Sequence, residues 1–296
     1  MKRIFVKIFA LSLTVTLFLL TFADSYIKTV GKIDDAYDIT DLSHKLDAVN
    51  NTLPSDSLRV MTYNLLADCM GFDGTKAQTR AYGTCEILKK ITPAVAGVQE
   101  MSRNWFASII NNTQYKCILP IRTGITGTMT ALLYNPKLVR PLMSGEKIFD
   151  EGDDSRLRRM VWGVFIENSS KKIFAVINSH FSLNNNPNAV NNINLSQALE
   201  LIEQCKTLNK IYRCPVIALG DFNTAPSRPT YQLLTTTLIN TQDIALKNNY
   251  SDSPVKNNDY IFVYGNIKAD TLTYLSIPEA KPLSDHYPVV ADFMLE

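Results

Sequence analysis

Histidine and tryptophan are scarce in this chain, three and two residues among 296. No two of its five cysteines have C-x-x-C spacing, which removes the usual framework of a structural zinc site. An odd count also leaves at least one thiol unpaired. Reduced, buried cysteines are the favoured expectation, with a Cys205–Cys214 bond as the alternative in an oxidising compartment. There is no internal repeat and no Pro/Gly/Ser linker to divide the chain, so its length suits one large α/β domain or two small ones. A strong charge of one sign is missing too, with 30 Lys+Arg against 28 Asp+Glu.

Long apolar runs are limited to one. Lys2, Arg3 and Lys7 precede an apolar stretch from Ile8 to Phe22, followed by Ala23 and polar residues, the order of a cleaved secretory leader. The stretch falls short of the roughly 20 apolar residues of a comfortable span and is broken by Ser12, Thr14, Thr16 and Thr21. Residues 1–23 are therefore expected to be a leader and the protein to be exported, with a retained membrane anchor as the alternative. No cysteine stands near the cleavage point for lipid attachment. Loss of the three leader bases leaves 27 bases against 28 acids, a net charge of about −1. Such a chain has no global attraction for a polyanion or an anionic membrane, so phosphate binding has to come from local groups.

Residues 24–57 are polar and are expected to be a tether carrying one amphipathic helix, with Ile39, Leu42, Leu46 and Val49 on one face and His44 in solvent. The ordered domain is expected over 58–296. Its organising stretch is PVIALGDFNTAP, Pro215–Pro226, an apolar strand ended by Gly220 and then Asp221, Phe222 and Asn223. Alternation along an extended backbone would put Asp221 and Asn223 on one side and Phe222 on the other as an anchor. An Asx-type turn is the competing explanation.

The same pattern recurs along the chain. LRVMTYN ends in Asn64; a helix around Glu86–Ile91 leads to AVAGVQE, which ends in Glu100. One strand–helix–strand unit thus brings Asn64 and Glu100 to one sheet edge, the place where α/β proteins bind ligands. TMTALLYNP is a further strand, and VWGVFIE and KIFAVINSH form an antiparallel pair whose second member ends in His180. A helix from Asn194 to Leu208 with Leu195, Leu199, Ile202 and Cys205 on one face leads back to Asp221, and the Asn-rich loop before it is placed beside His180. Asp259 opens the strand DYIFVY, while Asp285 and His286 precede the final strand. Each of these polar tips has a bland structural explanation: a helix-start acid for Glu100, a core histidine for His180. Eight of them at strand ends, holding two of the three histidines, point to a catalytic rim. Arg156, Arg158 and Arg159 are the one tight basic cluster, a charged strand edge or a phosphate-contacting rim.

In the order TYNLL, GVQE, NSH, GDFNTAP, DYIFV and SDHYPVV, residues 58–296 resemble the endonuclease/exonuclease/phosphatase (deoxyribonuclease I-like) superfamily. The resemblance implies a four-layer α/β (α+β) sandwich of two packed mixed β-sheets flanked by helices, and a phosphoesterase dependent on Mg²⁺ or Mn²⁺. It implies Glu100 as metal ligand, assisted by Asn64 and Asp285. It implies His286 as general base oriented by Asp259, Asp221 and Asn223 around the attacking water and phosphoryl oxygens, and His180 on a non-bridging oxygen. The expected substrate is a phosphodiester, of a nucleic acid or a small nucleotide, cut by a monomer with no strong membrane interaction once the leader is gone. A lipid-headgroup phosphodiesterase or a phosphatase is the alternative, although Trp105 and Trp162 alone do not make an aromatic insertion hairpin. The non-enzyme alternative is an inactive binding module of the same fold.

Overall fold

The computed structural model describes residues 40–51, 57–68, 77–120, 129–150, 158–183, 193–247 and 258–296. The expected leader (residues 1–23), Ile39, Cys69, Arg156 and residues 184–192 lie outside the described residues. Among the described residues no helix is long and apolar enough to cross a membrane.

Helix α1 (Thr40–Asn51) leads to β1 (Leu58–Asn64), and α2 (Ala77–Ile91) crosses over to β2 (Val95–Met101). After α3 (Arg103–Asn112) come β3 (Lys116–Ile118), β4 (Met129–Tyr134), β5 (Val139–Ile148), β6 (Arg159–Glu167) and β7 (Ile173–His180). Helix α4 (Ile193–Tyr212) crosses to β8 (Val216–Asp221), followed by α5 (Pro229–Thr235), β9 (Ile239–Asn240) and α6 (Thr241–Lys247). The chain closes with β10 (Asp259–Tyr264), β11 (Ile267–Ser276), a 3₁₀ turn (Pro278–Leu283) and β12 (Val289–Leu295).

Among the described residues twelve strands make two sheets of six, in the orders β11-β12-β1-β2-β4-β3 and β5-β6-β7-β8-β10-β9. Each sheet holds one parallel pair, β1 with β2 and β7 with β8, and each pair is joined by a helical crossover. Antiparallel neighbours flank both pairs: β12 and β4 in the first sheet, β10 and β6 in the second. The inner faces meet through Val60, Leu132, Phe165, Val176, Leu219, Ile261 and Phe293. Outside the first sheet a second apolar layer joins Met61, Tyr63 and Val98 to Leu46, Leu88 and Ile109 of the helices. Outside the other, Ile177, Ala218 and Phe262 pack on Leu201, Cys205 and Leu234. Strands buried on both faces read as continuous apolar runs, which is why VIAL and IFAVI carry no polar alternation. The architecture is the expected four-layer sandwich.

Two expectations are corrected and one strand is added. The segment around α1 is more than a tether, because Leu46 is fully buried, Leu42 nearly so, and Lys90 Nζ lies 2.7 Å from Asp47 Oδ1; His44 is exposed, as expected. The buried face of α4 is Asn194, Gln197, Ala198, Leu201, Ile202, Cys205 and Leu208, whereas Leu199 is 53% exposed. Ile202 and Cys205 lie on it as expected, but counting apolar residues misplaced its start because two polar members begin it: Gln197 donates to Ser182 Oγ at 3.0 Å and accepts from the Ser182 backbone N–H at 2.9 Å. Strand β5 went unseen because it is an edge strand, largely exposed, with Pro141 at a bulge instead of an alternating pattern. Among the described residues three cysteines are buried as expected and Cys117 is half-buried. Cys85, Cys117, Cys205 and Cys214 are free thiols, and burial pushes Cys85 and Cys117 up to about 12.

Candidate active site

Both parallel pairs end at the same pole of the sandwich, and their antiparallel neighbours begin there. In register, His180 on β7 pairs with Asp221 on β8, which pairs with Asp259 at the start of β10. Asn64, at the end of β1, reaches across the sheets and donates from Nδ2 to Asp221 Oδ2 at 3.0 Å. Gly220 makes the β7–β8 approach possible: at φ 148°, a Cβ there would sit 2.0 Å from the Ser179 carbonyl oxygen. The neighbouring Phe222 is fully buried and meets Phe181 and Phe262 edge-on, with ring centroids 5.0 and 5.3 Å apart, so it anchors the loop as expected.

Asp221 is the hub. His180 Nε2 and His286 Nε2 lie 3.4 and 3.8 Å from its Oδ2, while Oδ1 accepts the Asn223 backbone N–H at 3.0 Å. That last contact is an Asx turn, and Asn223 sits at φ 45°, so the extended alternation expected of Asp221 and Asn223 does not occur. Asn223 nevertheless stays at the rim, half-buried, donating from Nδ2 to the Phe181 carbonyl at 2.9 Å. Burial, then the neighbouring Asp259, raise the Asp221 carboxyl above its ordinary value, and the two histidines pull it back.

Asp259 is fully buried, with Oδ2 2.6 Å from His286 Nδ1. A carboxylate in that position orients the ring and directs Nε2 outward. Burial works against the charged imidazole, yet Asp259, Asp221 and Asp285 outweigh it and push His286 up to about 10. Ser284 places this turn: its hydroxyl donates to the Asn64 carbonyl at 2.7 Å and accepts the His286 backbone N–H at 3.2 Å.

The opposite side of the site is carboxylate-rich. Glu100 stands at a bulge in β2, where pairing with β4 shifts register, and its φ of 56° turns the side chain out of the ladder. Leu66 is also left-handed, at φ 52°. For non-glycine residues such backbone costs roughly 1–3 kcal/mol each and persists only where surroundings impose it. Glu100 Oε2 accepts the Ala67 N–H at 3.1 Å, and Oε1 lies 3.5 Å from Asn64 Nδ2. The Leu66 N–H donates to Asn64 Oδ1 at 3.1 Å, which orients the amide so that its nitrogen faces the acids. Asn64, expected to assist Glu100 at the metal, bridges Glu100 and Asp221 through Nδ2. Asp285 is exposed, and among the described residues neither it nor Glu100 has a lysine or arginine in ion-pair contact.

The tightest acid–histidine cluster is Asp221, Asp259 and His286, with ligand atoms within 4.8 Å of one another. Glu100 and Asp285, expected to hold the metal, lie outside it. The cluster is compact because His286 is hydrogen-bonded to Asp259 through Nδ1 and faces Asp221 through Nε2 at 3.8 Å, while the oxygen donors at Glu100 and Asp285 suit a hard divalent cation. The basic rim is also revised. Arg158 and Arg159 are buried, and Arg159, on a strand inside the sheet, has Nη1 bonded to Glu146 Oε2 at 2.8 Å across the β5–β6 ladder, so it forms neither an exposed charged edge nor an open phosphate rim.

Two mixed sheets that converge His180, Asp221, Asp259 and His286 on one pole, with Glu100 held there through Asn64 and Asp285 next to His286, define a phosphoesterase-type sandwich. Residues 61–286 match the Endonuclease/Exonuclease/phosphatase family, and the chain belongs to it. Among solved structures, it is similar to the endonuclease/exonuclease/phosphatase from Bacteroides vulgatus, at 22% identity, 82% of this chain and 100% of that one, TM-score 0.69. It is similar to a mannosyl-6-phosphatase of Bacteroides thetaiotaomicron at 20% identity, 80% and 100% coverage, TM-score 0.68. A third is TDP2 of D. rerio complexed with a single-strand DNA product, at 17% identity, 81% and 99% coverage, TM-score 0.60. No curated protein matches. At these identities the likenesses establish the fold.

Proposed function

We propose that this protein hydrolyses a phosphodiester in a Mg²⁺- or Mn²⁺-dependent reaction. The carrying observation is the chain from Asp259 to His286 Nδ1 at 2.6 Å, with His286 Nε2, His180 and Asn64 gathered around Asp221. Glu100 and Asp285 would hold the cation, with Asn64 orienting Glu100. When bound, that cation supplies positive charge that offsets the phosphoryl oxygens and the carboxylates keeping the proton on His286. Asp259 fixes the imidazole so that Nε2 is the atom that takes a proton from water. Asp221, held by Asn64 and the Asn223 N–H, orients that water, and His180 donates toward a phosphoryl oxygen.

The substrate preference is a nucleotide or short single strand, because a net charge near −1 after leader loss gives no long-range hold on a duplex. Burial and pairing of Arg159 remove one expected phosphate contact and favour a small substrate further. A phosphomonoesterase acting on a sugar phosphate is the second possibility, supported by the mannosyl-6-phosphatase likeness. One panel separates them: short DNA and RNA, bis(p-nitrophenyl) phosphate, sphingomyelin vesicles and mannose 6-phosphate, each with Mg²⁺ and with EDTA. Metal-dependent cleavage of the diesters is expected. Activity undiminished by EDTA refutes the metal assignment, and release of phosphate from the sugar ester alone establishes the monoesterase.

A further inference from the structure

Arg80, on α2, has no solvent exposure and no carboxylate in ion-pair contact among the described residues. Burial opposes its charge, so something else holds the guanidinium there. Its Nη2 donates to the carbonyls of Leu66 and Ala67, both at 3.0 Å, and Nη1 lies 3.4 Å from the carbonyls of Leu65 and Leu283. Those carbonyls come from two segments, the turn after Asn64 and the turn that delivers Asp285 and His286. The guanidinium also lies over the Trp105 ring, 5.3 Å from its centroid. Trp105 Nε1 in turn donates to the Leu66 carbonyl at 3.1 Å, so one oxygen of a left-handed residue receives bonds from both side chains. The neighbouring Ala67 gives its N–H to Glu100.

We infer that Arg80 and Trp105 are positioning residues: a buried clamp that holds the Leu65–Ala67 turn and the Leu283 turn so that Glu100 and Asp285 face one cation. The inference rests on the metal-dependent function proposed above. A clamp that orients the groups around metal ligands contributes roughly 10- to 100-fold to metal affinity. Coulomb's law alone predicts the opposite sign. Arg80 is a positive charge felt by Glu100 and Asp285, so its removal should tighten cation binding if charge were all it supplied.

The test is Mn²⁺ binding to the purified protein by calorimetry, alongside thermal unfolding, for wild type, Arg80→Met, Arg80→Lys and Trp105→Phe. Arg80→Met should weaken Mn²⁺ binding by roughly 10- to 100-fold. Arg80→Lys, which keeps the charge and loses the fork, should recover part of it. Trp105→Phe keeps a ring under Arg80, removes one bond to Leu66, and should weaken binding in the same direction; it decides the matter if the Arg80 variants do not fold. Leu234→Ala, in the core of the opposite sheet, controls for general destabilisation and should bind Mn²⁺ normally. Unchanged or tighter Mn²⁺ binding by a folded Arg80→Met or Trp105→Phe protein overturns the clamp. A wild-type protein that binds no Mn²⁺ overturns the metal-dependent function and the clamp with it.

Discussion

The site's chemistry is concentrated in a pair of residues that are far apart in sequence. His286 and Asp259 meet at 2.6 Å because one begins β10 and the other precedes β12, on the two sheets that face each other. His286→Ala should lower turnover by roughly 10²- to 10⁴-fold, the usual size of a general-base contribution, while circular dichroism and the unfolding midpoint stay close to wild type. Asp259→Asn should also slow turnover, because an amide holds the ring with no charge. Wild-type turnover in His286→Ala would disprove the base assignment. The residues of this rim were legible locally, as polar tips on apolar strands. Ser284, Arg80 and Trp105 were not recognised: a serine in a turn, an arginine inside a helix and a buried indole have many uses, and only their partners show which one applies.

At the scale of elements, α1 is the clearest departure. A short amphipathic helix flanked by polar sequence looks like a spacer, yet Leu46 is buried among the residues behind the first sheet, and Arg59 Nη1 donates to Asn50 Oδ1 at 2.7 Å. Leu46→Ala should destabilise the protein by about 2–5 kcal/mol, the range for deleting a buried leucine side chain. A urea unfolding curve indistinguishable from wild type would show that the helix does not contribute to the folded body. The bulge in β2 makes the complementary point. AVAGVQE was legible as a strand, but the register shift that turns Glu100 outward depends on what β4 offers opposite it.

The whole molecule is held in register at its centre by a buried polar bridge between the sheets. Asn178 Nδ2 on β7 donates to the carbonyls of Val98 and Ala131 at 2.9 and 2.6 Å, and Asn178 Oδ1 accepts from Gln99 Nε2 at 2.7 Å. Gly97 admits this approach, since a Cβ there would lie 2.0 Å from Leu219 Cδ1 and 2.7 Å from Asn178 Cγ. Asn178→Ala removes the bonds to Gln99 Nε2 and to the Val98 and Ala131 carbonyls, while Gln99 Nε2 keeps Thr62 Oγ1 at 3.1 Å, at roughly 0.5–1.5 kcal/mol for each bond lost. Chemical denaturation should show that loss, and turnover should fall too, because Asn178 lies two residues before His180 and Gln99 one before Glu100. Loss of stability with full activity would limit the bridge to a packing role.

Strand and helix periods, the polar residue closing a strand and the order of the motifs are properties of neighbouring residues, so the sequence by itself determined the buried strands that carry the rim, the family resemblance and the candidate rim residues, but not edge elements such as β5. Contacts between residues 64 and 221, 80 and 283, or 259 and 286 depend on how the sheets register and pack, which no local pattern encodes. The tertiary structure therefore decided that Asp221 is the hub, that Asn64 turns its nitrogen to the acids, and that Arg159 is bound to Glu146. It also decided that a cation without a carboxylate in ion-pair contact, Arg80, is sealed beneath the turn that presents Glu100, because only packing brings the carbonyls of two separate segments and the Trp105 ring around one buried guanidinium.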